Sequence, residues 1–113
     1  MKKLLSAIAI FAFASYASAE MSHSHQMSAA NEAYMQSMGA MHDSMMKGIA
    51  HQDPDIAFAA GMLPHHQGTV AMAEVELKYG KDPELRQLAE NIIKAQQAEI
   101  KFMQQWLEKH GEK

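Results

Sequence analysis

The chain has 113 residues, a formal charge of −3 with neutral histidines, no cysteine, 11 methionines and 7 histidines. It has no basic cluster, which argues against nucleic acid or an anionic membrane surface as partner, and an acidic chain suits cations. With no cysteine, disulfides cannot stabilise so small a domain, which leaves helix packing, a bound metal or a partner subunit.

Lys2 and Lys3 precede an apolar run from Leu4 to Ala14, and a small-residue stretch ends in Ala17-Ser18-Ala19. The pattern predicts a cleaved secretory signal peptide over residues 1–19, too short and wrongly flanked for a membrane span, and hence a periplasmic location without membrane insertion. Cleavage before Glu20 removes two lysines and no acid, leaving eight basic and thirteen acidic side chains, a charge of −5. Residues 20–30 are polar and lack apolar periodicity, which predicts a flexible arm. There His23 and His25, beside Met21 and Met27, would capture metal weakly. His23 is the fourth mature residue, so the tight amino-terminal Cu(II) chelate, which needs histidine at the third, is not formed.

A helical domain is predicted over residues 31–110. Its first block runs from about Asn31 to His51 and stops before Gln52-Asp53-Pro54, where Asp53 caps the next helix and Pro54 occupies its first turn. The second runs from Pro54 to Tyr79, with Pro64 predicting a kink near Gly61 and Gly80 a stop. The third opens on Asp82-Pro83-Glu84 and ends near His110. No strand pattern is present. Short connections make neighbouring helices antiparallel, so the expected fold is all-α, an up-down-up helical bundle with three helices per chain. Three helices make a thin core, which a homodimer would complete.

The first block is unusual for its presumptive inner face, which reads Tyr34, Met35, Met38, Met41, His42, Met45, Met46 and Ile49 with no leucine, valine or phenylalanine. On the second, helical projection gathers Phe58, Met62, His65, His66, Thr69, Met72, Ala73 and Glu76 within about 120°. On the third it gathers Leu85, Leu88, Ala89, Ile92, Gln96, Glu99, Met103, Trp106 and Leu107. Gln96 and Glu99 sit in the middle of that stripe, where a buried polar group needs a partner.

Soft thioether and borderline imidazole together favour Cu(I), with Cu(II) taken mainly by the histidines. Methionine suits an oxidising compartment because it forms no disulfide, although it can be oxidised to the sulfoxide. The candidate ligands are Met62, His65, His66 and Met72 on the second helix and Met38, Met41, His42 and Met45 on the first. Gln96 and Glu99 are candidates to accept the outer N–H of a ligating imidazole. The bland reading of the methionines is a plastic core or binding surface. His51 and His110, near helix C-termini, read as structural.

The run Gly61-Met62-Leu63-Pro64-His65-His66-Gln67-Gly68 followed by Met72-Ala73 resembles a bacterial family long labelled only as a domain of unknown function and related to the periplasmic copper-binding CopM proteins. Leu88-Ala89, Ile92-Ile93, Gln96, Glu99-Ile100, Met103 and Trp106-Leu107 agree with the same pattern, so the resemblance spans Tyr34 to Leu107. It implies a ferritin-like helical bundle, export, and copper binding in copper tolerance, with Met62, His65, His66 and Met72 as the site.

The leading expectation is therefore a copper scavenger, buffer or chaperone, with copper ions as cargo and a copper exporter or another periplasmic copper protein as partner. An enzyme is not expected: no Glu-x-x-His pair of the di-iron kind falls within the three helical blocks, and no nucleophile stands in a recognisable arrangement. The alternative is a Met-rich module that grips protein or peptide.

Overall fold

The computed structural model describes residues 26–111, which form α1 (Ala29–Ile49), α2 (Pro54–Tyr79) and α3 (Pro83–His110). The signal segment and His23 and His25 of the arm lie outside the described residues.

Each helix begins at a side-chain cap. At α1 the Ser28 hydroxyl accepts the Asn31 N–H and the Asn31 side chain accepts the Ser28 N–H, both at 3.1 Å. This reciprocal box satisfies two otherwise orphan donors, so α1 starts inside the stretch expected to be a flexible arm. Asp53 accepts the N–H groups of Asp55 and Ile56 at 2.8 and 3.1 Å, and Asp82 those of Glu84 and Leu85 at 3.0 and 2.9 Å. Gly80 ends α2 in extended rather than left-handed backbone. Arg86 then donates to the freed carbonyls of Leu77 and Gly80 at 2.8 and 3.0 Å, tying the end of α2 to the start of α3. Pro64 is buried within α2 and does not end it; the missing N–H leaves the Ala60 carbonyl without its helical donor.

The architecture is all-α and up-down-up, with α2 in the middle. α1 packs on one side of it and α3 on the other, and α1 and α3 do not meet. Three contacts fix the α1–α2 joint from end to end. A side chain at Gly48 would strike the Ala60 carbonyl, Met41 lies where a Cβ on Gly68 would come within 2.5 Å of its sulfur, and the Tyr34 hydroxyl donates to Glu76 at 3.5 Å. Small residues thus bring the backbones together where large ones would hold them apart. Burial and the charge and hydrogen bond of Glu76 all push the Tyr34 hydroxyl above its ordinary pKa, burial most.

The result is a layer and not a closed bundle. Its buried hydrophobic residues among those described are Ala59, Ala73, Val75, Ala89 and Met103, and no side chain is completely enclosed. This corrects two sequence expectations. On α1, Met35, Met38, His42, Met46 and Ile49 are exposed, and the residues toward α2 are Tyr34, Ser37, Met41, Met45 and Gly48. On α3, Leu85, Leu88 and Glu99 are exposed, and Ala89, Ile93, Gln96, Ile100, Met103 and Leu107 line the covered side. Among the described residues no helix is long and apolar enough to cross a membrane.

Candidate metal centre

α2 carries the densest set of metal-binding side chains, and its geometry separates the two adjacent histidines. A helix turns about 100° per residue, so neighbours cannot face the same neighbouring helix. His66 turns to α3, where its side chain is 12% exposed, and its Nε2 meets the carboxylate of Glu99. Its Nδ1 lies 3.0 Å from the Met62 carbonyl one turn back. That carbonyl fixes the ring and leaves Nε2 as the outward nitrogen, the arrangement in which histidine ordinarily meets a metal.

His65 is exposed, on the side of α2 that neither α1 nor α3 covers. Its ring centroid lies 6.0 Å from that of His66, with the planes 64° apart. An ion held by both rings needs a separation of about 5 to 6 Å, from ~2 Å per metal–nitrogen bond plus the ring halves. The Thr69 hydroxyl donates to the His65 carbonyl at 2.9 Å, a local back-bond within the helix. Met62 is half-buried beside these rings at helical spacing, and Met72 is 39% exposed two turns on.

The α1 candidates divide. Met41 is packed on Gly68 and Met45 is half-buried, so both contribute to the joint with α2. Met38 and His42 lie open beside Met35 and Met46. The groove between α1 and α2 on the opposite side of the layer, lined by residues such as Ser37, Met41, Pro64 and Gln67, contains no histidine. The exposed candidate ligands His42, His65 and Met72 therefore lie outside that cleft.

Of the two polar residues expected behind the histidines, Glu99 meets His66 directly. The Gln96 side-chain oxygen is buried without a hydrogen-bond partner among the described residues, so it does not support a histidine. His110 is tied to its own helix, with Nδ1 2.9 Å from the Trp106 carbonyl and its ring stacked on Trp106 at 4.3 Å. Among the described residues no three histidine or carboxylate side chains converge closely enough to hold an ion by themselves. A metal held here needs thioether sulfur or further groups.

The sequence of residues 6–107 matches the family described as a domain of unknown function, DUF305. The chain belongs to the DUF305 family. The match takes in all of α1 and α2 and most of α3, so the His65-His66 pair and Glu99 both lie within the DUF305 region. A similar protein is an uncharacterized one from Acanthamoeba polyphaga mimivirus, 41% identical over 49 residues. Those residues are 43% of this chain and 32% of the viral protein, so the DUF305 chain spans about a third of that relative's length.

Sequence reasoning missed the openness of this DUF305 face because it assigned one apolar stripe to each helix. Each carries two. The second runs through positions 35, 38, 42 and 49 on α1 and through Phe58, His65, Met72 and Tyr79 at seven-residue spacing on α2. On α3 it runs through Leu85, Leu88, Ile92, Ala95, Glu99 and Phe102. The alternating three-and-four spacing was readable from the sequence and marks a second contact face. The three stripes share one side of the layer: Ile49 reaches Gly61, and Phe58 and Phe102 line one groove.

Proposed function

We propose that this protein is a periplasmic copper-binding protein, a scavenger, buffer or chaperone rather than an enzyme, that takes copper through methionine and histidine side chains. The observation that carries this reading is the exposure of thioethers around the histidines. Met35, Met38, Met46 and Met72 are 60%, 46%, 53% and 39% exposed. Exposed side chains gain little of the burial energy that explains methionine in a core. What they offer at the surface is soft sulfur, beside imidazoles that are borderline ligands, a donor set that favours Cu(I) and admits Cu(II).

Capture begins at the open methionines and His65. Retention involves Met62, His65, His66 and Met72, with His66 held by the Met62 carbonyl while its Nε2 turns from Glu99 to the ion. Release to an exporter or another copper protein proceeds by exchange of one neutral ligand at a time. Anaerobic Cu(I) titration of the mature protein against a chromogenic competitor tests this. Tight binding that weakens in Met62→Ala, His65→Ala, His66→Ala and Met72→Ala supports the reading, and a wild type that never competes for the metal sinks it.

A second reading, a module that grips a protein or peptide, draws support from Phe58 and Phe102, which are 67% and 65% exposed and are not metal ligands. Binding of a peptide partner that persists after chelation would favour it over copper carriage.

A further inference from the structure

We propose that the open face is the contact surface of a twofold dimer in which His65 of each copy shares a copper ion with Met72 of the other. This rests on the copper reading above and adds where the missing ligands come from.

The first argument is the state of the single chain. Its buried residues are mostly alanines and glycines, and no side chain is fully enclosed. Apart from Met27, which precedes α1, all the large hydrophobic side chains that remain exposed lie on or at the edge of this one face. Monomers rarely leave so large an apolar area to water. Three helices averaging about 38 Å in length, spaced about 9 Å apart, present roughly 1,000 Å². A pair would bury roughly 2,000 Å², the range of obligate dimers.

The second argument is charge. The stripes that make up the face contain no lysine or arginine; Glu76 and Glu99 lie toward its middle, and Asp55 lies at its end in the groove with Phe58 and Phe102. Tyr34 engages Glu76 and His66 engages Glu99 within the chain. Around the middle of the face a second copy therefore meets no unpartnered like charge, whereas a face meant for a charged partner would carry the opposite sign.

The third argument is spacing. Along α2, His65 and the exposed large hydrophobic residues of this face follow in the order Phe58, His65, Met72 and Tyr79, spaced seven apart. The midpoint of the outer pair coincides with that of the inner pair, between Gly68 and Thr69. A twofold axis through that point, with the two α2 helices antiparallel, sets Phe58 against Tyr79 and His65 against Met72 of the other copy. A self-complementary surface of this kind is what a twofold interface requires. It also supplies what one chain lacks, because no three histidine or carboxylate groups converge within it. Two mixed nitrogen–sulfur sites result, one on each side of the axis.

The test is complementation between two single variants, both at exposed positions whose replacement leaves the packing intact. Homodimers of His65→Ala and of Met72→Ala should each bind Cu(I) at least tenfold more weakly than the wild type. A heterodimer purified through two different tags unites His65 of one chain with Met72 of the other and should regain one tight site per dimer, against two in the wild type. If each site lies within one chain, mixing regains nothing, and the proposal is overturned while the copper reading stands. Sedimentation without added metal is the second arm. A wild-type dimer that Phe58→Asp converts to a helical monomer supports the interface, and a monomeric wild type overturns it. A dimeric wild type that binds no copper overturns the copper reading and the shared sites together.

Discussion

The Nε2 of His66 on α2 meets the carboxylate of Glu99 on α3 while its Nδ1 holds to the Met62 carbonyl, so one imidazole is gripped from both ends. The grip joins the central helix to its neighbour at the candidate metal centre. A side chain placed in this way needs little reorganisation to receive an ion, because only the outer contact has to change.

Glu99→Gln keeps the shape and removes the charge. The carboxylate is 67% exposed, so the stability lost should be small, below about 1 kcal/mol. Because Glu99 holds the same Nε2 that the ion takes, and the Met62 carbonyl orients the ring from Nδ1, copper affinity should rise rather than fall when that contact is weakened. Thermal unfolding and competitive titration of the same preparation separate the two effects. Equal affinity in both proteins would show that Glu99 has no part in metal binding.

Two glycines of α1 should respond to alanine with opposite signs. At Gly48 a Cβ would run into the Ala60 carbonyl, a backbone group that cannot step aside, so Gly48→Ala should destabilise by about 1–3 kcal/mol. At Gly39 nothing lies within 4 Å, and Gly39→Ala should stabilise by up to about 1 kcal/mol through helix propensity. Chemical denaturation checks both, and equal effects at the two positions would contradict the close approach of α1 to α2.

Tyr34 gives a pH dependence whose sign is set by its raised pKa, due first to burial and then to the charge and hydrogen bond of Glu76. The native state holds this proton more tightly than the unfolded chain does. The contribution to stability is therefore complete below the unfolded value near pH ~10 and is lost as pH rises through the folded value. In the ultraviolet titration of wild type minus Tyr34→Phe, the midpoint should lie above that of free tyrosine. A midpoint at or below it would mean that Tyr34 does not sit against Glu76.

Oxidation offers a further check on the open face. In the monomeric Phe58→Asp variant, mild peroxide should convert Met35, Met38, Met46 and Met72 to sulfoxides before Met103, which is buried. In the wild type, bound copper should slow the reaction at Met72 by occupying its sulfur. Peptide mapping that finds Met103 oxidised first would contradict the exposed placement of the others.

The helices themselves were legible in the sequence because Asp53-Pro54 and Asp82-Pro83 are strong local start signals, and both caps form as read. Ser28 was harder to see. Its partner is Asn31 rather than the usual Glu or Gln, and the polar run before it looked like tail. The orientation of the helices about their own axes was the least legible. Periodicity shows that a helix has an apolar side, but α1 and α3 each have two, and the choice between them depends on which glycines let a backbone approach. Gly68 decides it for α1 by receiving Met41, and Gly48 of α1 by lying against the Ala60 carbonyl. At the site, the motif Met62-x-x-His65-His66 lies on α2 with His66 toward α3 and His65 open, and Glu99, singled out by its awkward place among apolar residues, meets His66. Gln96 had the same signal and engages no histidine, since its polar side-chain oxygen lies buried without a partner.

X-ray absorption at the copper edge, recorded on the mature protein loaded with one equivalent of Cu(I), examines the ligand chemistry itself. Sulfur and nitrogen scatterers should both appear around the metal, with the sulfur contribution reduced in Met72→Ala and the nitrogen contribution reduced in His65→Ala. A shell of nitrogen and oxygen alone, unchanged in either variant, would contradict copper binding by the methionines and histidines of the open face.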